Sequence, residues 1–175
     1  MISIIIPTYQ HGNTILETLE SIFNQTYQDF EVIVVNDGST DDTKKKLEIA
    51  LKKWPNKIKV INQERKGANA ARNKGFYESK GDFLFFCDAD VVLKKDALEK
   101  MINTFKKHPE ASYVYSSFKF GWKTFPSFDF DEERLKKMPY ISMMSLIRRE
   151  HFPGFDEKIK KFQDWDLWLT MLEKG

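Results

Sequence analysis

The chain has 175 residues, 28 Lys and Arg against 26 Asp and Glu, 41% hydrophobic and 14% aromatic residues; this length predicts one domain, and its apolar content suffices for a core burying about 70% of the unfolded surface, which excludes a disordered chain. The formal net charge is +2 with cations and acids interspersed, so the electrostatic footprint of a nucleic-acid binder is missing and no nucleic-acid partner is expected. Cys87 is the single cysteine, which excludes an intrachain disulfide framework and a zinc site of several thiolates; with a mean hydropathy of −0.52 and an N-terminal apolar run, Ile2–Ile6, too short for a signal peptide, the expectation is a soluble cytoplasmic protein, with peripheral contact at a membrane left open.

In chain order, β-branched and aromatic runs at Ile2–Ile6, Phe30–Val35, Ile58–Ile61 and Phe83–Cys87 predict strands. A helix is predicted after each. The first, near Asn13 to Asn24, aligns Ile15, Leu19, Ile22 and Phe23 on one face. The second is expected to start after Ser39 as N-cap, with Asp42 three positions on and Leu47, Ala50 and Leu51 inward. The third, about Ala68 to Ser79, sets Ala71 and Gly75 four apart for close approach to the sheet, and Gly81 is expected to stop it. A fourth runs from about Lys95 to Lys106. Strand and helix alternating in this way predict right-handed crossovers and a mostly parallel α/β sheet covered on both faces. Beyond it, Tyr113–Phe120, Phe125–Phe130 and Tyr140–Leu146 read as strands of mixed direction, and a last helix near Asp164 to Glu173 gathers Trp165, Trp168, Leu169 and Leu172 on an apolar face.

Ligands of an open parallel sheet bind beyond the carboxyl ends of its strands. The junctions there read Pro7-Thr8-Tyr9-Gln10, Asn36-Asp37-Gly38-Ser39 and Asp88-Ala89-Asp90, with Lys66-Gly67 and Arg72 following the third strand. With PTYQ, NDGSTDD, GANAARNKG, DAD and QDWDLWL in this order, the chain resembles the N-terminal, nucleotide-sugar-binding part of family 2 glycosyltransferases, from Ile2 to Gly175. The resemblance implies a GT-A fold, Rossmann-like, with a smaller mixed-strand acceptor-side region. It also implies a single unit over 1–175, divided into a nucleotide-binding half, 1–94, and an acceptor-side half, 95–175, cut short at its C-terminal end relative to the family.

The residues carry this chemistry, and each has a plainer alternative. Asp37 can accept an imide N–H of uracil while Tyr9 offers a ring face and Pro7 and Thr8 line the first turn; otherwise Asp37 and Ser39 only cap a helix. Asp88 and Asp90 can aim two hard oxygens at Mg2+ or Mn2+, or else form a capping turn. By resemblance, Asp90 touches the metal directly and Asp88 faces the ribose or a metal-bound water. Arg72 can pair with a diphosphate or brace the acids, or make a structural ion pair. Asp164 resembles the family's acceptor-site base, where Glu often precedes the Asp; Gln163 departs from that, and Asp164 and Asp166 can equally satisfy a helix N-terminus. Trp165 and Trp168 read as core before sugar platforms, Cys87 as a buried strand residue, and His11, His108 and His151 as surface residues without metal-ligand spacing.

The resemblance therefore implies a metal-dependent inverting transferase. It would move a sugar from a nucleoside diphosphate, UDP favoured, to a glycan, lipid-linked or other hydroxyl acceptor, in cell-surface glycan synthesis. One rival is a phosphoryl-transfer domain, which wants an Asp at the end of the first strand where Pro7-Thr8-Tyr9 has none. The other is a nucleotide-sugar-binding domain without turnover, or one completed by a partner.

Overall fold

The computed structural model describes residues 1–174. Gly175, where the resemblance ends, lies outside them. Four parallel strands form in the order of the apolar runs: β1 (Ile2–Thr8), β2 (Phe30–Asp37), β3 (Ile58–Gln63) and β4 (Phe83–Phe86). Between and after them lie α1 (Ile15–Phe23), α2 (Thr43–Lys53), α3 (Ala68–Tyr77) and α4 (Ala97–Lys107). The second half adds β5 (Tyr113–Val114), β6 (Phe118–Phe120), β7 (Lys123–Phe125), α5 (Glu132–Lys137), β8 (Leu146–Arg148) and α6 (Gln163–Glu173). The six-stranded sheet has the order β3-β2-β1-β4-β8-β5, with β8 antiparallel to both β4 and β5, while β6 and β7 pair separately as an antiparallel hairpin.

Alternation along β1 explains its apolar run from Ile2 to Ile6, interrupted by Ser3, which is buried with its hydroxyl donating to Glu31 Oε1 at 2.6 Å. Ile2, Ile4 and Ile6 pack with Leu19, Ile22, Val34, Phe85 and Phe105 on one face, and Ile5 joins Phe86, Ile147 and Trp168 on the other. With helices on both sides, neither face needs polar residues. Trp168 is fully buried, and its indole N–H donates to the Ile141 carbonyl at 3.0 Å, so it is core. No helix among the described residues is long and apolar enough to cross a membrane.

Several boundaries differ from the sequence expectation. Helix α2 begins at Thr43 after Asp42; Ser39 instead accepts the Gln10 N–H at 3.0 Å, and Asp41 accepts the Thr43 N–H at 3.0 Å. The loop is thus tied to the first strand's turn before the helix can start. Leu51 is 41% exposed, because α2 buries only a narrow stripe through Leu47 and Ala50. Helix α3 ends at Tyr77, and Gly81 serves a close approach: a Cβ there would meet the Ser3 N at 2.7 Å. Helix α4 starts two residues later than expected, at Ala97. Of the stretch Tyr140–Leu146 only Leu146 is strand, and past Phe125 the second aromatic stretch is irregular. The short helix α5 was not expected from the pattern; its signal is Asp131, whose carboxylate accepts the Arg134 N–H at 2.9 Å as an N-cap.

Gly75 lets α3 lie against the sheet. A Cβ at that position would overlap the Ile5 side chain and reach Val35 Cγ2 at 3.4 Å. In Gly75→Ala, overpacking of about 1–3 kcal/mol should outweigh the helix-propensity gain of about 1 kcal/mol. The urea midpoint should fall with an unchanged slope; an equal or higher midpoint would contradict the close approach.

Candidate functional site

A cleft of about 420 Å³ opens at the carboxyl ends of the parallel strands and draws together residues far apart in sequence, among them Pro7, Thr8, Tyr9, Asp37, Arg72, Asp88 and Asp90. All the residues expected to face a nucleotide or metal lie on this one wall. His11 lines it too and is half-buried, which corrects its reading as a surface residue, whereas His108 and His151 are exposed.

The two aspartates just past the fourth strand are aimed by the residue between them. Ala89 is buried, and its carbonyl accepts hydroxyls from Thr14 at 2.9 Å and Thr18 at 3.0 Å, both at the start of α1. Pinning that peptide leaves Asp88 and Asp90 to flank it on the cleft side. Asp88 is held further by Arg72, Nη2 to Oδ1 at 3.1 Å. Asp90 is exposed and makes no ion pair among the described residues. Behind them Cys87 is buried, and burial, with the two carboxylates adding, pushes its thiol up. That disfavours the thiolate a nucleophile would need.

Arg72 sits on α3, buried, and spends its guanidinium in several directions. Nη1 donates to Asn69 Oδ1 at 3.1 Å and to Gln163 Oε1 at 3.0 Å, and the group lies 5.5 Å from the Phe155 ring centre. Its Nε is buried without a partner, as is the Thr8 hydroxyl. Buried polar atoms are normally satisfied, so two orphans on one cleft wall mark it as a surface built for a polar ligand.

The sequence assigns no role to Asn69 or Asn73, although both lie in the GANAARNKG motif and share a helix face with Arg72 at i, i+3 and i+4. Asn69 donates to the Asp156 carbonyl at 2.7 Å; Asn73 donates to the Phe155 carbonyl and accepts its N–H, both at 2.9 Å. This face of α3 therefore anchors the loop leading into α6. Asp164 lies in the first turn of α6, half-buried and outside the cleft wall, its carboxylate accepting the Trp165 N–H at 2.9 Å. Its neighbour Gln163 makes the link to the cleft. Burial pushes the Asp166 carboxyl up, with Asp156 and Glu173 adding to it.

Asp37 is 3% exposed and already occupied: it accepts from the Gln63 amide and from the Lys66 and Gly67 N–H groups, each at 2.8 Å. Lys66 and Gly67 thus meet the site through their backbone N–H groups. The same loop carries Arg65, absent from the sequence reading, whose guanidinium stacks 4.0 Å above the Tyr9 ring centre. Its only sequence signal is its place just before Lys66-Gly67.

Among the described residues no group of three or more His, Cys, Asp or Glu side chains gathers as a closed metal cage. The donor set is an open one, two carboxylates at a strand end. Mg2+ and Mn2+ accept this arrangement when phosphate oxygens complete the shell, so the residues fit such an ion.

The family model described as Glycosyl transferase family 2 matches residues 3–163, and the chain belongs to that family. It is 30% identical over its whole length to a chondroitin synthase of Pasteurella multocida (strain Pm70), of which it spans only 19%. Among solved structures, S. aureus TarS 1-349 in complex with UDP-GlcNAc superposes with a TM-score of 0.78 at 26% identity, over 94% of this chain and 51% of that one. The mannosyltransferase PcManGT from Pyrobaculum calidifontis, in complex with GDP-Man and Mn2+, gives 0.80 at 21% identity, over 99% and 52%. The α/β architecture is that of these GT-A neighbours.

Because three donors converge on Asp37, Asp37→Asn turns an amide NH2 toward N–H groups that need acceptors. The variant should lose about 1–3 kcal/mol of stability in urea titration. Unchanged stability would mean that the loop holding Arg65 over Tyr9 does not depend on this carboxylate.

Proposed function

We propose that this chain is the nucleotide-sugar-binding, catalytic part of a metal-dependent inverting glycosyltransferase, with UDP as the favoured carrier and a glycan, lipid-linked or other hydroxyl as acceptor. The observation that carries the reading is Arg72, whose one guanidinium joins Asp88 of the DAD element to Gln163, the residue beside Asp164. That link ties the diphosphate-binding edge to the helix whose first turn holds the prospective base. The UDP-GlcNAc held by TarS and the GDP-Man and Mn2+ held by PcManGT support a nucleoside diphosphate sugar and a divalent ion here.

Each residue then has defined work. Tyr9 and Arg65 offer a stacked edge for a base, and Asp37, with three of about four acceptor positions used, keeps one for an imide N–H. Pro7 and Thr8 line the floor, where the Thr8 hydroxyl is buried without a hydrogen-bond partner. The start of α3, with Gly67 and Ala68 on the cleft, suits phosphate oxygens, as does Arg72. Asp90 and Asp88 would hold Mg2+ or Mn2+, which when bound supplies Lewis-acid stabilisation of the diphosphate leaving group. Asp164 would take the proton of the acceptor hydroxyl as its oxygen displaces the diphosphate from the anomeric carbon, giving inversion. Residues 1–94 would serve the donor and residues 95–175 the acceptor.

Two variants separate these roles. Asp90→Asn should lower UDP affinity in Mn2+ and leave metal-free affinity unchanged in calorimetry; equal loss in both would remove Asp90 from the ion. Asp164→Asn should keep donor and metal binding while transfer falls by about 100- to 10,000-fold, since Asn preserves size and can still accept the Trp165 N–H but cannot take up the proton. Full transfer by that variant would refute the base. Donor binding by the unmodified chain, without turnover across a panel of UDP-sugars and acceptors, would favour the binding-domain reading instead.

A further inference from the structure

The β6–β7 hairpin stands apart from the six-stranded sheet and carries the most exposed aromatic surface of the described chain: Trp122 is 100% exposed and Phe120 77%. Its shape is set without them. Phe118 and Phe125 face each other across the pair with ring centres 4.8 Å apart and 5° between planes, and Gly121 turns at φ +56 with no atom within 4 Å of where its Cβ would lie. The turn is therefore convex and free, and neither Trp122 nor Phe120 belongs to a core cluster. A fully solvated indole beside a solvated phenyl is work left for something outside the fold.

Charge narrows what that something is. Between Glu110 and Asp129 the chain has no acidic residue, and its charges there are Lys119 and Lys123 alone. Lys123 pairs across the hairpin with Phe120 and so shares its face, while Lys119 lies on the other, which puts a cation on each side of the aromatic tip. The acids that follow are largely engaged: Asp131 caps α5, and Glu132 and Glu133 pair with Lys136 at 2.6 and 3.2 Å. Trp and Phe at a tip flanked by Lys is the composition of a segment seated at headgroup depth. The rings enter the interface and the ammonium groups meet lipid phosphates. A convex tip also suits a deformable bilayer better than a flat protein partner, which would leave most of it wet.

We propose that the tip of the β6–β7 hairpin, Phe120 and Trp122 with Lys119 and Lys123, docks this chain onto the surface of an anionic phospholipid bilayer. The proposal is independent of the catalytic reading, since none of these residues lines the cleft.

Vesicle co-sedimentation with tryptophan fluorescence tests it, using phosphatidylglycerol mixed into phosphatidylcholine against phosphatidylcholine alone. The chain should bind the anionic vesicles with a blue-shifted emission, weakly bind the neutral ones, and release as salt rises. The double variants Phe120→Ser with Trp122→Ser, and Lys119→Gln with Lys123→Gln, should each lower partition on the order of tenfold. Circular dichroism and urea midpoints should stay unchanged, because the tip contributes nothing to the core. No partition into anionic vesicles at low salt would overturn the proposal, as would partition that both variants retain. A mass that doubles with protein concentration in light scattering, and reverts in the aromatic variant, would equally overturn it by assigning the tip to a second copy of the chain.

Discussion

A guanidinium taken out of water costs several kcal/mol unless hydrogen-bonded partners compensate it, and the way Arg72 meets that requirement organises the cleft. Its partners come from three places: Asn69 on its own helix, Asp88 past β4, and Gln163 at the head of α6. Satisfying one buried cation therefore fixes the strand end against the start of the last helix. A lysine would not reproduce this, since a single ammonium lacks the planar fork that serves separated acceptors. With Gln163 neutral, Asp88 is the one carboxylate paired with that charge among the described residues.

The loop that carries Arg65 depends on a similar economy of backbone groups. Asp37 ends β2 and accepts two N–H groups of the loop between β3 and α3, which would otherwise be left unpaired. Gly38 permits the tight approach: its φ is +74, and a Cβ there would press on the Arg65 N at 2.9 Å. With the loop drawn in, Arg65 lies over Tyr9. Asp37 thus shapes the pocket whatever ligand enters, and the helix-capping alternative considered for it gives way to a loop clamp.

The two halves of the chain differ in how sequence becomes structure. In the first, β1, β2 and β4 are buried along most of their length and the edge strand β3 exposes Lys59 and Asn62, so hydrophobic runs still mark the elements, and the order of runs fits the parallel topology. In the second, short strands, an antiparallel return and α5 are held by contacts distant in sequence. Arg148, for example, donates to the Ala111 and Pro109 carbonyls at 2.8 and 2.7 Å, and the Trp165 indole reaches the Leu135 carbonyl at 2.6 Å.

The sequence by itself determined the α/β class, the four parallel strands, the burial of Trp168 and Cys87, and the set of junction residues that line the cleft, because strand ends in such a sheet converge wherever the chain runs. It also carried the family. What it left undecided were the helix starts after the loops, the strand limits beyond Tyr113, and the parts played by Arg65, His11, Asn69 and Asn73. Only the tertiary structure decided these. A helix begins where its loop is released, as when Ser39 is spent on Gln10 and α2 waits for Thr43, and a polar side chain acquires a role only when folding brings up a partner more than eighty positions away, as Phe155 is brought to Asn73.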